Sequence, residues 1–495
     1  MEKHDVLKKP EEHLKGEQKK VYRLEPSGPV LVKGGAGSGK TLVAIARARF
    51  LNEYAHSLFG VAKVGFFTYD KSLRDEVASY IGTTSIVVDN IDRWVNRFLR
   101  GRGYAIGRLP GKETRQEFSV CMAQAKAKAF DAHSERAIFQ KRNDFYEDEI
   151  AWIKGRQIED EETYLKTPRT GRGTADRVVA EDRRYLWALK KAYDECIAAN
   201  GLEMYEDLVN AAVKSITATP LTEEESFSYV IVDEAQDFTL AKLRLISLIT
   251  NGTPETKSMT MFADAAQKIY QSGFSWKEAN ISVHRGRSYE FTKNYRNTRQ
   301  IAEAAYSLIA HEEDKSEMTP MDLPEKQGEK PLLLIGPNQA LLVNELVRKV
   351  NQIPQNEKVV FAAYGNRELA VLKALLESRG FVVDSYGATN RHALNLSGKR
   401  VVYVRSLCKL KGLQFDHVFL WNLTEGQFPP GSDADKDISR FRMLLYVAMT
   451  RACETLTLIS FGTPAALVNE IDPTLLTIKR IGTVGKVIYK ESSHV

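Results

Sequence analysis

The sequence predicts an α/β fold built on two parallel sheets, and three stretches carry that expectation. "VLVKGGAGSGKTLVAIA", from Val30, reads as strand, glycine loop and helix. "FSYVIVDEAQDF", Phe227 to Phe238, is an apolar run halted by carboxylates. A buried parallel strand looks like this where its C-terminal end meets a crevice. Between Arg296 and Leu407, "PLLLIGP", "KVVFAAY", "FVVDSY" and "RVVYVRSL" are separated by the helical stretches "NQALLVNELVRKV" and "NRELAVLKALLESRG". That alternation is the signature of a second parallel sheet.

Bulk properties fit this frame. A chain of 495 residues has room for about two to four domains. Hydrophobic content of 43% and charged content of 27% are those of a globular protein. No apolar run approaches the roughly 18 residues that span a bilayer. The N-terminal "MEKHDVLKKPEEHLKGEQKK" lacks the apolar core of a signal peptide, which suggests a cytoplasmic protein. The net charge of +6 permits contact with a phosphate backbone without demonstrating it. Cys121, Cys196, Cys408 and Cys453 are scattered, with no Cys-x-x-Cys pair, so four free thiols are expected and no structural zinc.

"GGAGSGKT" fits G-x-x-x-x-G-K-[ST] in the strand-to-helix setting that the motif requires. Glycines let successive N–H groups turn toward phosphates, and the helix N-terminus adds favourable field. The nucleotide-binding run is therefore Gly34, Gly35, Ala36, Gly37, Ser38, Gly39, Lys40, Thr41 and Leu42. Lys40 would reach the β- and γ-phosphates of ATP, and Thr41 would hold Mg²⁺. On the second strand, Asp233 is placed to hold Mg²⁺ through water, and Glu234 to orient and deprotonate the attacking water. A solvated acidic turn would explain the carboxylates alone; beside a phosphate loop, catalysis explains them better.

"DEAQD" with "GGAGSGKT" resembles the UvrD/Rep/PcrA branch of superfamily 1 DNA helicases, and further motifs follow in order. "LKGEQKKVY" resembles the adenine-reading segment, which assigns that role to Gln18. "VGFFTYDKSLRDEV" resembles the first DNA-contacting motif, with Thr68 and Tyr69 at a strand end. "MFADAAQKIY" resembles the segment whose glutamine senses the γ-phosphate, here Gln267. "KNYRNTRQI" implies that Tyr295 stacks on adenine and that Arg296 reaches the γ-phosphate. "SLCKLKGLQFDHVFL" resembles the segment linking nucleotide to DNA through Gly412 and Gln414, and "RMLLYVAMTRACETLTL" carries a second arginine finger, Arg451. The resemblance runs from about residue 14 to 460. It implies two RecA-like P-loop NTPase domains with ATP bound between them, a helical insertion in the first, and 3′ to 5′ movement on single-stranded DNA.

The domains expected are 1–95 with 216–288, a helical insertion at 96–215, a second RecA-like domain at 289–480 and a tail at 481–495. Larger relatives carry a domain before the "KG" segment; here only "GATNRHALNLSGKR" is available, so that insertion is expected to be absent. The departure bears on strand separation more than on hydrolysis. Ala263 replaces a glycine, Cys408 a histidine and Gln414 a glutamate common in the family. Trp276, in "GFSWK", is the expected base-stacking platform, with Tyr69 and Trp94 weaker candidates. The loop "TPRTGRG" offers Arg169 and Arg172 to phosphates, and "EDEE" at 159–162 reads as a solvated helix face. Rival readings are an ATP switch serving a separate nuclease or other protein effector, and a remodeller of protein–nucleic-acid complexes.

Overall fold

The computed structural model describes residues 9–59, 63–69, 71–81, 85–130, 136–169, 178–264, 276–311, 321–384, 399–430 and 438–482. Among them no helix is long and apolar enough to cross a membrane. The chain divides into two compact units: Met1–Lys33, Lys40–Asp264 and Tyr270–Phe291; and Gly34–Gly39, Ala265–Ile269 and Thr292–Val495.

The first unit is built on a six-stranded sheet of β1 (Val30–Gly34), β2 (Val64–Thr68), β3 (Ile86–Asn90), β4 (Tyr229–Val232), β5 (Ser258–Ala263) and β6 (Ser288–Phe291). Their order is β3-β2-β4-β5-β1-β6, with β3, β2, β4, β5 and β1 running parallel. Alternate residues feed two cores. Val30, Val32, Phe66, Ile231 and Phe262 face one side; Leu31, Phe67, Val230, Val232 and Met261 face the other. Both faces are covered, so the strands read as unbroken apolar runs rather than alternating ones. The order matters for function. Because β5 lies between β1 and β4, the C-terminal ends of these three parallel strands stand side by side at one edge of the sheet.

Between β3 and β4 the chain is helical, and part of that stretch has a core of its own around Phe118, Met122, Ile150, Tyr164, Trp187 and Tyr193. Here the expectation of four free thiols is corrected. Cys121 and Cys196 form a disulfide, their Cα atoms 5.5 Å apart, because the helices Arg115–Ala129 and Ala180–Ala199 lie side by side. Cys408 and Cys453 remain thiols.

The second unit holds a seven-stranded sheet of β7 (Leu332–Gly336), β8 (Val359–Ala363), β9 (Val382–Asp384), β10 (Val401–Ser406), β11 (Phe415–Trp421), β12 (Ala452–Phe461) and β13 (Thr477–Arg480). Its order is β13-β7-β12-β11-β8-β10-β9, parallel throughout. The four strands and two helices expected from the sequence are β7 to β10 with the helices Gln339–Gln352 and Asn366–Ser378. β9 pairs directly with β10. The "GATNRHALNLSGKR" stretch between them lies almost wholly outside the described residues.

Candidate nucleotide-binding site

β1 stops at Gly34 and the helix Lys40–Phe59 starts six residues later, so the intervening loop must turn sharply. Gly37 and Gly39 supply the turn, with φ of 80° and 81°, a region that costs glycine little. Ser38 closes the loop on itself by donating from Oγ to the Gly35 carbonyl at 2.9 Å.

Side chains from three strand ends meet within the first unit. Lys40 Nζ lies 3.3 Å from Asp264 Oδ2, the residue that follows β5. Thr41 Oγ1 donates to Asp233 Oδ2, after β4, at 2.8 Å. Glu234 sits at φ 54°, ψ 41°, a left-handed conformation that a glutamate adopts at a cost. Gln236 Nε2 donates to the Glu234 carboxylate, and Gln236 Oε1 accepts from the Asp264 N–H at 2.9 Å. Lys40, Asp233, Glu234, Gln236 and Asp264 are all buried.

The electrostatics are unbalanced. Burial first, and the charge of Glu234 second, push the Asp233 carboxyl up to about 7, against the pull of Thr41 and Lys40. A carboxylate forced this high is relieved by a cation. With a hydroxyl already bonded to it, the Asp233–Thr41 pair is the oxygen set that a phosphate-bound Mg²⁺ takes from a protein. The residues present therefore fit that ion.

Sequence reasoning singled out Lys40, Thr41, Asp233 and Glu234, and the structure brings all four to one edge. It missed Asp264 as the counter-ion of Lys40 and Gln236 as the group that orients Glu234. Both lay inside the quoted motifs; the strand order, which no local pattern states, makes them neighbours. Gln267 lies outside the described residues. Gln18 is buried on the short helix Glu17–Tyr22, its Oε1 accepting from the Lys15 N–H at 2.9 Å.

In the second unit, Tyr295 is 44% exposed. Arg296 faces the Gln414 side-chain amide, which in its hydrogen-bonding orientation accepts from Nε at 3.0 Å and from Nη2 at 2.6 Å. Gly412 takes φ 78° two residues earlier. Arg451 is buried, donating from Nε to the Val447 carbonyl at 2.9 Å.

The expected nucleic-acid contacts sit less openly. Thr68 is fully buried at the end of β2, and its Oγ1 has no hydrogen-bond partner among the described residues. Tyr69 is half-buried, edge-on to Phe238, with Lys242 Nζ 5.5 Å from its ring centroid. Trp276 is half-buried against the sheet's core. Trp94 is a core residue stacked on Phe98 at 5.0 Å, not a platform. Arg169 is likewise corrected: it pairs with buried Glu149 at 2.6 Å instead of facing phosphates, and Arg172 lies outside the described residues. In "EDEE", Asp160 caps the helix Glu161–Lys166 by accepting from the Thr163 N–H at 2.8 Å, which holds its carboxyl below the usual range.

Comparison with known proteins gives this geometry a context. The UvrD/REP helicase N-terminal domain matches residues 14–292, more than half the chain, and the UvrD-like helicase C-terminal domain matches residues 389–463. An ATP-dependent DNA helicase PcrA of Staphylococcus epidermidis is 24% identical over 319 residues, covering 61% of this chain and 41% of that protein. A probable DNA helicase of Mycoplasma pneumoniae is 23% identical over 479 residues, 91% of this chain and 83% of that one. An ATP-dependent DNA helicase Rep of Buchnera aphidicola is 22% identical over 298 residues, 58% of this chain and 41% of its own. The chain thus spans about two-fifths of the length of the PcrA and Rep relatives.

Proposed function

The chain belongs to the UvrD/REP helicase family, and from that premise we propose that it is an ATP-driven DNA helicase or translocase moving 3′ to 5′ on single-stranded DNA. Repair, replication or phage defence would use such a motor. The observation that carries the reading is the Lys40–Asp264 and Thr41–Asp233 pairing, with Glu234 held beside it by Gln236.

In this reading Lys40 grips the β- and γ-phosphates and Glu234 takes the proton of the attacking water. Mg²⁺, held by Thr41 and Asp233, would supply charge neutralisation at the transferred phosphoryl. Gln267, Arg296 and Arg451 keep the roles that the family motifs assign: γ-phosphate sensor and two cations for the transition-state charge. Tyr69 and Trp276 are proposed to stack on bases. A second reading is an ATP switch acting with a separate nuclease or effector. It is favoured by the short span between β9 and β10, where larger relatives carry a domain.

Steady-state ATP hydrolysis with and without single-stranded DNA separates them. Stimulation by DNA that Glu234→Gln removes supports the motor, and 3′- and 5′-tailed duplexes then give polarity. Glu234-dependent hydrolysis indifferent to DNA overturns the motor reading.

A further inference from the structure

Seven residues after Lys40, on the same helix, Arg47 is 1% exposed. An arginine taken from water normally brings a carboxylate with it, because desolvation of the charge must be offset. Arg47 brings none. Its partners are the carbonyls of Val21, Tyr22 and Leu24, at 2.9, 3.2 and 2.9 Å, and Thr260 Oγ1 on β5 at 2.7 Å. Burial, with the like charge of Arg287 second, brings its pKa down to about 9. Such an arrangement is costly, and the three carbonyls show where its effect falls. They cluster at the C-terminal end of the helix Glu17–Tyr22, which carries Gln18. Six residues are too few for a helix to hold itself, and its last carbonyls gather the negative end of the dipole. The guanidinium satisfies them and pins that helix to the one whose N-terminus is Lys40 and Thr41.

We propose that Arg47 is a positioning residue for nucleobase selection, fixing Gln18 at a set distance and angle from the phosphate-binding residues. The inference rests on Gln18 reading adenine. A carboxamide meets adenine through one donor and one acceptor, whereas guanine offers two acceptors on the corresponding edge. A carboxamide that can shift or turn loses that discrimination; one whose helix is clamped by Arg47, two helical turns from Lys40, keeps it.

The test compares kcat and KM for ATP and GTP in Arg47→Met, Arg47→Lys and Gln18→Ala. Arg400→Met serves as control. Arg400 is a buried arginine of the second unit that likewise donates to backbone carbonyls, those of Ile353, Pro354 and Glu357, but holds no base-reading helix. Arg47→Met should raise KM for ATP about tenfold with kcat within about threefold, leave KM for GTP nearly unchanged, and so cut the preference about tenfold. Arg47→Lys, which keeps the charge but reaches fewer carbonyls, should fall between and gives the answer if the methionine variant does not fold. Arg400→Met should lower Tm without moving the preference. A double Arg47→Met, Gln18→Ala variant should discriminate no worse than Gln18→Ala alone. If Gln18→Ala keeps the ATP preference, the reading of Gln18 is wrong. If Gln18→Ala loses it while folded Arg47 variants keep it, the reading stands and the role of Arg47 is overturned.

Discussion

In the helical stretch between β3 and β4, Glu149 is sealed from solvent yet accepts from Tyr164 Oη at 2.7 Å and from Arg169 Nε and Nη2 at 3.0 and 2.6 Å. Close by, burial pulls the Lys154 ammonium down, but Asp194 and Asp207, each 2.7 Å away, more than offset it. At the ends of β1, β4 and β5, Asp233 is as deeply buried and has next to it a second carboxylate, Glu234, in a left-handed conformation. The first region sets counter-charges against Glu149 and Lys154; in the second, burial and the neighbouring Glu234 hold the Asp233 carboxyl raised. Buried charge by itself therefore says little about function. What distinguishes a site is buried charge that the fold stabilises incompletely, since a ligand can complete it.

The largest expected effect tests the second half of that contrast. Glu234→Gln should lower ATP hydrolysis by about a thousandfold or more, with nucleotide binding largely retained, because the base is lost and the shape kept. Rates measured at saturating ATP check it. A loss of tenfold or less would mean that the Glu234 charge serves something other than proton transfer.

Next comes the compensated region. Glu149→Ala takes the buried carboxylate from the Arg169 guanidinium and the Tyr164 hydroxyl, so it should cost about 3 kcal/mol of local stability. Hydrogen exchange in the helix Asn143–Gly155 reads this directly. ATP hydrolysis without DNA should survive, since Glu149 bonds Tyr164 and Arg169, neither of which belongs to the nucleotide site. Fully maintained protection would show that this network is not what holds the helices together.

The disulfide is the third lever. Converting Cys121 and Cys196 to serine together should cost about 3 kcal/mol in the same helices, as the bond closes a long loop. A melting curve with and without reductant should differ for the native chain and coincide for the double variant.

How much of this was legible beforehand follows the same division. Lys40, Thr41, Asp233 and Glu234 stand in local patterns of glycine, apolar run and carboxylate, and such patterns survive in one dimension. The alternation after Arg296 gave the second sheet for the same reason. Gln236 and Asp264 matter only because β5 inserts between β1 and β4, a fact of strand order. Glu149 with Arg169, and Cys121 with Cys196, meet across 20 and 75 residues with no periodicity to announce them. Trp94 shows the converse: an aromatic on a helix beside a strand end carries the same local signature whether it faces solvent or the core.

The smallest effect is the one whose sign decides most. The Asp233 carboxyl rises from its ordinary 3.8 to about 7 on folding. An acid whose pKa is raised by folding leaves the native chain with more bound protons than the unfolded one, so stability falls as pH climbs from about 4 to about 7 and stays low above. Asp233→Asn removes the charge and nearly keeps the shape. At pH 8 the variant should therefore melt higher than the native chain, although it no longer hydrolyses ATP. Near pH 4, where the native carboxyl is already protonated, the gap should close. Mg²⁺ with ATP should raise the native melting temperature more than that of the variant, because only the native chain has the Asp233 carboxylate for the ion to relieve. A variant less stable than the native chain at pH 8 would mean that Asp233 is compensated after all. The two regions would then bury charge on the same terms, and the contrast between them would fail.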